Sequence, residues 1–516
     1  MNKLKRIVIC MAAAVIAFGV AGFVKTEMAF AASDSAVLLT TQAEVSVSDD
    51  SENLPKPEDY LKYKLNKKGH AVITGLKEVY SSIADIVIPG SIDGYKVTAI
   101  GKKAFKDKSV KSVTIEKGIK KIGYAAFAYC DSVEQITLPK SLENIKKSAF
   151  RNCKKLSSVS LPKKIKQIAD RTFYYCSSLT SITIPNGVTK IGGWAFCECD
   201  GLTEVTIPDS VTKIGEYAFY GCSRLTGITI PDSVKSIGDY AFELCSSLTS
   251  ITIPDSVKSI GDLAFYECSS LTSVTILAKD KSIGEEAFEG RSSLTEITIP
   301  DSVTCIGESA FHNCSSLTSI TIPNGVTSIG DYVFFYCDSL TSITIPDGVT
   351  EIGGYAFFEC RSLTSITIPN GVTEIGWCAF IGCSSLTSIT IPDSVTKIGG
   401  WAFCRCDSLT SITLPDSVTE IGWCAFIGCS SLTGISIPDS VTMIDDGTFY
   451  GCSSLTSITI PDSVTLIDEY AFKGCSSLTS ITIPDSVKSI GYAAFSGCEN
   501  LELILPEGME IDEDWF

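Results

Sequence analysis

The stretch LTSITIPDSVKSIGDLAFYECSS, residues 248–270, decides how this chain folds. With Leu248 as position 1, apolar residues fall at positions 1, 4, 6, 10, 13, 17, 18 and 21: Leu248, Ile251, Ile253, Val257, Ile260, Ala264, Phe265 and Cys268. The run Ser250 to Ile253 alternates polar and apolar in β-branched residues, which predicts a short strand with one buried face. Pro254 ends it, because proline cannot donate to a sheet ladder and sets the first corner of a turn. Pro-Asp-Ser here, Pro-Asn-Gly at Pro369 and Pro-Asp-Gly at Pro346 are all turn strings. Val257 and Ile260 bring the chain back along the opposite side, and Gly261 breaks it. The Ala-Phe-x-x-Cys segment is too short for an isolated helix and predicts one helical or 3-10 turn packed into the core.

The same frame recurs every 23 residues, without insertion or deletion, through seventeen units from Val110 to Asn500. One such unit cannot bury its apolar face alone, so a fixed period of this length predicts a solenoid of stacked coils. The expected fold is a repeat solenoid with parallel β-strands on one face, short β segments and 3-10 or helical turns on the other, and an N-terminal cap.

The pattern Leu-x-x-Ile-x-Ile-Pro-x-x-Val-x-x-Ile-Gly-x-x-Ala-Phe-x-x-Cys resembles that of BspA-type leucine-rich repeat surface proteins. This resemblance implies a leucine-rich-repeat solenoid, a secreted or cell-surface location, and adhesion to host proteins or other cells. It carries fold further than it carries partner.

Working outward, residues 1–31 read as a secretory signal: Lys3, Lys5 and Arg6 precede the apolar run Ile7–Val24, and Ala29-Phe30-Ala31 supplies a cleavage site. That run is 18 residues long, which leaves an uncleaved anchor as the alternative to a mature chain without a membrane span. Residues 32–58 are polar and aperiodic and read as a disordered leader. Residues 59–109 hold strand-like runs at His70–Thr74 and Asp85–Ile88, then AIGKKAF at Ala99–Phe105, and read as the N-terminal cap with a first partial repeat. Residues 501–516 are either a C-terminal cap or a truncated repeat.

The formal charge is −17, unevenly spread. Residues 110–178 carry 14 Lys or Arg against 5 Asp or Glu, whereas residues 179–516 come to about −29. So acidic a body argues against nucleic acid as a partner, since phosphate binding needs basic patches.

Sixteen cysteines occupy position 21 from Cys130 to Cys498, interrupted only by Arg291. In a secreted chain they could form a disulfide framework. The site always follows Ala-Phe, so a ladder of buried thiols acting as small hydrophobes is the reading adopted. Cys197, Cys305, Cys378, Cys404 and Cys424 lie off this row. The unit containing Leu277, Asp280 and Arg291 departs from the pattern at three core or turn positions, which predicts a loosened coil.

Position 8 repeats Asp, as at Asp209, Asp255 and Asp393, where stacked carboxylates could hold calcium; turns favour Asp there in any case. His70 and His312 are the only histidines. No acid-base constellation or phosphate loop stands out, so neither an enzyme nor a cofactor is expected. Trp194, Tyr217, Tyr240, Tyr332, Tyr355, Trp401 and Tyr470 share position 16, and these seven are the candidate ligand-binding surface. The expected role is a multivalent scaffold for host or neighbouring-cell proteins or glycans, with a spacer or matrix protein lacking a specific ligand as the alternative. Nothing in the repeat sets an oligomeric state.

Overall fold

A computed structural model describes residues 55–277 and 282–516. The segment read as a signal peptide and nearly all of the leader lie outside the described residues. The first described element is a four-residue helix, Pro57–Tyr60, which starts inside the stretch read as leader.

Each 23-residue unit forms one coil with two short parallel strands, except that the second is a single bridge at Ile260 in the coil of Leu248. The front strand takes positions 3–5, as in Ser388–Thr390, and the second takes positions 12–13, as in Lys397–Ile398. Successive coils stack in register, so Ser388, Ile389 and Thr390 face Ser411, Ile412 and Thr413. Like therefore sits on like along the whole array. At the N-terminal end the antiparallel pair Leu61–Leu65 and Ala71–Leu76 covers the first coil. Tyr60 is buried beneath it, donating from its hydroxyl to the Val87 carbonyl and accepting from the Val87 N–H, both at 2.9 Å. At the other end Glu502–Ile504 pairs with Ser480–Thr482, and the carbonyl of buried Trp515 accepts from the Phe495 N–H at 2.8 Å. The final residues thus pack against the coil of Leu478.

The eight apolar positions are buried in the described residues, save half-buried Leu138, and the core is built in columns. Eighteen phenylalanines from Phe105 to Phe495 stack ring on ring with centroids 5.0–5.7 Å apart. Beside them, each of the sixteen position-21 cysteines donates its S–H to the carbonyl of the phenylalanine one coil back, at 3.0–3.3 Å. This explains cysteine where a plain hydrophobe would fill the space: the thiol packs as an apolar group and still offers a weak donor. The row consists of buried, unbridged thiols. Burial pushes them far from reactivity, Cys176 and Cys429 up to about 12.

The Ala-Phe-x-x-Cys segment keeps part of the expected 3-10 bonding without becoming a helix. In the coil of Tyr217, Ala218, Tyr220 and Cys222 donate back to Gly215, Tyr217 and Phe219 within the coil, at 3.2–3.3 Å. The alternate N–H groups, of Tyr217, Phe219 and Gly221, donate instead to Asp239, Ala241 and Glu243 of the next coil, at 2.8–2.9 Å. Every second donor is diverted to stacking, so a helix cannot propagate. The turns also require left-handed backbone at positions 16 and 20, seen at Tyr217 (φ 53°) and Gly221 (φ 67°).

The front ladder is shortest around the divergent unit, whose own front strand stays paired with both neighbours. The front ladder runs from Asp85–Ile88 to Gly227–Thr229, restarts as three strands between Ser250 and Thr298, and continues as nine strands from Ser319–Thr321. The second ladder is reduced there to one bridge, Ile237 to Ile260, and to the pair Ser282–Ile283 with Cys305–Ile306. Leu277 is exposed. Asp280 lies outside the described residues.

Candidate functional site

A surface able to select a ligand has to come from the variable positions 12, 15, 16, 19 and 20, since the core and turn positions are spoken for. The strand's outward serines and threonines are exposed but nearly invariant, as in the exposed-buried-exposed pattern of Ser181–Thr183. The neighbouring position-2 threonines are engaged in the stack, Thr364 donating to the Thr341 carbonyl at 3.3 Å and Thr387 to Thr364 at 3.2 Å.

All seven position-16 aromatics lie half-buried on the turn segment with left-handed backbone, φ 53–61°. They do not form one continuous row. Trp194 stacks on Tyr217 at 4.1 Å and Tyr217 on Tyr240 at 4.4 Å, the latter pair within 4° of parallel. Tyr332 and Tyr355 form a second stack at 4.9 Å. Trp401 meets Trp423 edge to face at 5.5 Å, and Tyr470 meets Tyr492 likewise at 5.8 Å. Arg171 covers the outer face of Trp194 at 5.0 Å. Inside each stack the ring faces are taken by neighbours, which leaves edges as the surface a ligand would meet. Burial, and then Tyr240, push the Tyr217 hydroxyl up to about 12, so it remains a neutral hydrogen-bonding group.

A second row was not singled out from the sequence. Position 19 lies three residues on, and its Tyr220, Phe335 and Phe358 lie 5.6–5.7 Å from Tyr217, Tyr332 and Tyr355. Phe335 and Phe358 stack at 4.4 Å. The recurrence of aromatics at an i, i+3 spacing was the available signal. Exposed Trp377, at position 15, adds an edge-on ring 5.2 Å from Tyr355.

Between the two stacks the strip becomes acidic. Position 16 holds Leu263, Glu286 and Ser309, while Glu243, Glu267 and Glu289 crowd the adjoining positions. Burial raises Glu243 to about 7, and burial with the nearby Glu289 raises Glu286 to about 7. Arg291, wholly buried in the thiol row, donates through Nε and Nη2 to the Glu289 carbonyl. Its Nη1 and the Glu243 Oε2 are buried without partners. His312 Nδ1 lies 2.8 Å from Glu289 Oε1.

Of the off-row cysteines, Cys197, Cys378, Cys404 and Cys424 are buried and Cys305 is exposed. Among the described residues no three His, Cys, Asp or Glu side chains converge as metal ligands would.

Stacked parallel strands, a leucine or valine opening each coil and a 23-residue period define a leucine-rich-repeat solenoid. Residues 98–226, 212–340, 281–410, 327–454 and 373–502 match the BspA type leucine-rich repeat region, and the chain belongs to that family. It is similar to a leucine-rich repeat protein from Bacteroides ovatus ATCC 8483, with 33% identity over 70% of this chain and 98% of that one and a TM-score of 0.63. A leucine-rich cell surface protein from Faecalibacterium prausnitzii A2-165 shows 26% identity over 91% of this chain and 98% of that one, with a TM-score of 0.35. No curated protein matches the chain.

Proposed function

We propose that this protein is a non-catalytic binding scaffold, secreted or held at the cell surface, that engages proteins or glycans of a host or neighbouring cell through many weak contacts. Membership of a family of leucine-rich repeat proteins supports the scaffold reading. The signal-like residues 1–31 support the location, and no helix among the described residues is long and apolar enough to cross a membrane.

The observation that carries the binding role is the division of labour within the coil. Core columns repeat almost without change, while aromatics gather on positions 16 and 19 into two stacks separated by an acidic break. Edges of stacked tyrosines and tryptophans are a surface suited to protein and sugar contacts, and repetition adds avidity without new chemistry. The uniform hydroxyl face is what a passive spacer would also show.

The full chain, applied to cells, matrix proteins and a glycan panel, should bind at least one of them. Replacing Trp194, Tyr217, Tyr240, Trp401 and Tyr470 together by serine should then weaken binding tenfold or more. Unchanged binding would refute the aromatic strip as the contact surface, and absence of any binding would favour the spacer.

A further inference from the structure

The basic N-terminal units hold a feature that the aromatic strip does not account for. A cleft of about 570 Å³ opens where the second strands at Tyr95–Ile100 and Lys121–Ile122 run into the turns that follow them. Its walls carry Lys102, Lys121, Lys146 and Lys147, with the ring of Tyr124 and the amide of Asn66 beside them and no carboxylate.

Some lysines of these units are neutralised by neighbours, Lys120 by Glu143 at 3.2 Å and Lys154 by Asp131 at 3.5 Å. In the cleft, Lys147 alone reaches a carboxylate, Asp170 at 3.6 Å on the C-terminal side. Lys102 lies 5.4 Å over the face of exposed Tyr124. Lys121 and Lys146 have no ion pair among the described residues. Lys146 and Lys147 occupy positions 14 and 15, where a typical coil such as that of Gly261-Asp262 places glycine and an acid. Four ammonium groups facing one concavity raise a positive potential there, in a protein whose net charge is −17.

We propose that this cleft binds an acidic glycan, its lysines pairing with sulfate or carboxylate groups and Tyr124 packing against a sugar ring. The lysines supply point charges free to follow anionic groups spaced along a flexible chain. The aromatic edge in the same wall selects carbohydrate over a bare polyanion, because a phosphate chain has no ring to pack on tyrosine. The site lies outside the aromatic strip, and its test reads a different set of residues, so either proposal can fail without the other.

Binding of the full chain to a size-defined heparin oligosaccharide, with inorganic polyphosphate as the comparison anion, tests the assignment. The oligosaccharide should bind at 0.15 M salt and weaken as salt rises. Lys121→Glu with Lys146→Glu should weaken it at least tenfold and Tyr124→Ala severalfold, whereas Lys190→Glu with Lys213→Glu, the same charge change on exposed lysines three coils on, should leave it unchanged. Unaltered circular dichroism would confirm that each variant is folded, and Lys121→Ala with Lys146→Ala provides a milder version of the same loss. Absence of oligosaccharide binding would overturn the proposal, as would equal loss in the Lys190 and Lys213 variant. Polyphosphate binding as tight as the oligosaccharide's, indifferent to Tyr124→Ala, would overturn the glycan assignment.

Discussion

The coils from Leu317 to Asn500 and the three coils from Leu248 to Ser316 share one frame yet are held together differently. In the first region the front strands form an unbroken ladder, every position-21 residue is a thiol, and Phe334 to Phe495 stack without a gap. In the second the phenylalanine column passes through intact, at 5.4–5.7 Å, while the front ladder is cut to three strands and Arg291 interrupts the thiols; the second ladder falls there to one bridge and one pair, though it also breaks in the first region between Glu420–Ile421 and Met443–Ile444. The column of rings and the sheet are therefore separable supports, and the gap between the two aromatic stacks spans the same three coils.

The largest effect should come from the support both regions share. Phe380→Ala opens a cavity between Phe357 and Phe403 and should cost about 3–5 kcal/mol, as buried aromatic truncations do. Phe288→Ala should cost as much in ring contacts and, lacking continuous ladders to hold the coil, should melt locally before the rest. Urea unfolding followed by hydrogen exchange separates the two outcomes; identical global unfolding of both variants would show that the ladders do not matter.

Arg291→Cys should stabilise the central coils by about 1–3 kcal/mol, because it removes a buried unpaired donor. It also gives the Phe265 carbonyl the thiol partner that its counterparts possess. A lower melting temperature would mean that the arginine compensates the surrounding carboxylates by more than its own burial costs.

Glu243 supplies a pH signature confined to the central region. Its carboxyl titrates at about 7 in the fold against an ordinary 4.5, with burial as the first cause. Between these values the folded state holds a proton that the unfolded chain has released, so stability falls as pH rises from about 4.5 to 7 and is level above. Glu243→Gln should reduce that slope, Glu286 carrying the remainder, and stabilise the central coils at pH 8. An unchanged pH profile of local exchange would place the titration elsewhere.

The smallest effect concerns the backbone. Leu244 sits at position 20 with φ 59°, where Gly221, Gly451 and Gly474 serve other coils. Leu244→Gly should gain about 0.5–1 kcal/mol by relieving the left-handed strain, in a thermal melt. A loss would show that this exposed leucine packs better than its surroundings suggest.

How much of this was legible varies with position. Leucine, isoleucine, valine and phenylalanine at fixed offsets announced the solenoid and its core, because burial leaves them little choice. Tyr217 and Trp194 gave no sign of left-handed backbone, since large side chains rarely adopt it and only the stacking of coils imposes it here. The diversion of alternate N–H groups to the next coil is likewise invisible in one unit, being a property of the stack. For the candidate surface, position 16 was readable as an aromatic row. Its division into two stacks, and the part played by position 19, depended on which rings stand next to one another in consecutive coils.

The separation of ring column from sheet is tested most directly by hydrogen–deuterium exchange mapped along the full chain. The account predicts that amides of the front strands at Ser250–Ile253, Ser273–Ile276 and Glu296–Thr298 exchange at least tenfold faster than those at Ser388–Thr390 and Ser411–Thr413, while the Phe265, Phe288 and Phe311 amides, which donate to the next coil at 2.9–3.1 Å, stay protected. Uniform protection of all front strands, or early exchange of those three phenylalanine amides, would contradict it.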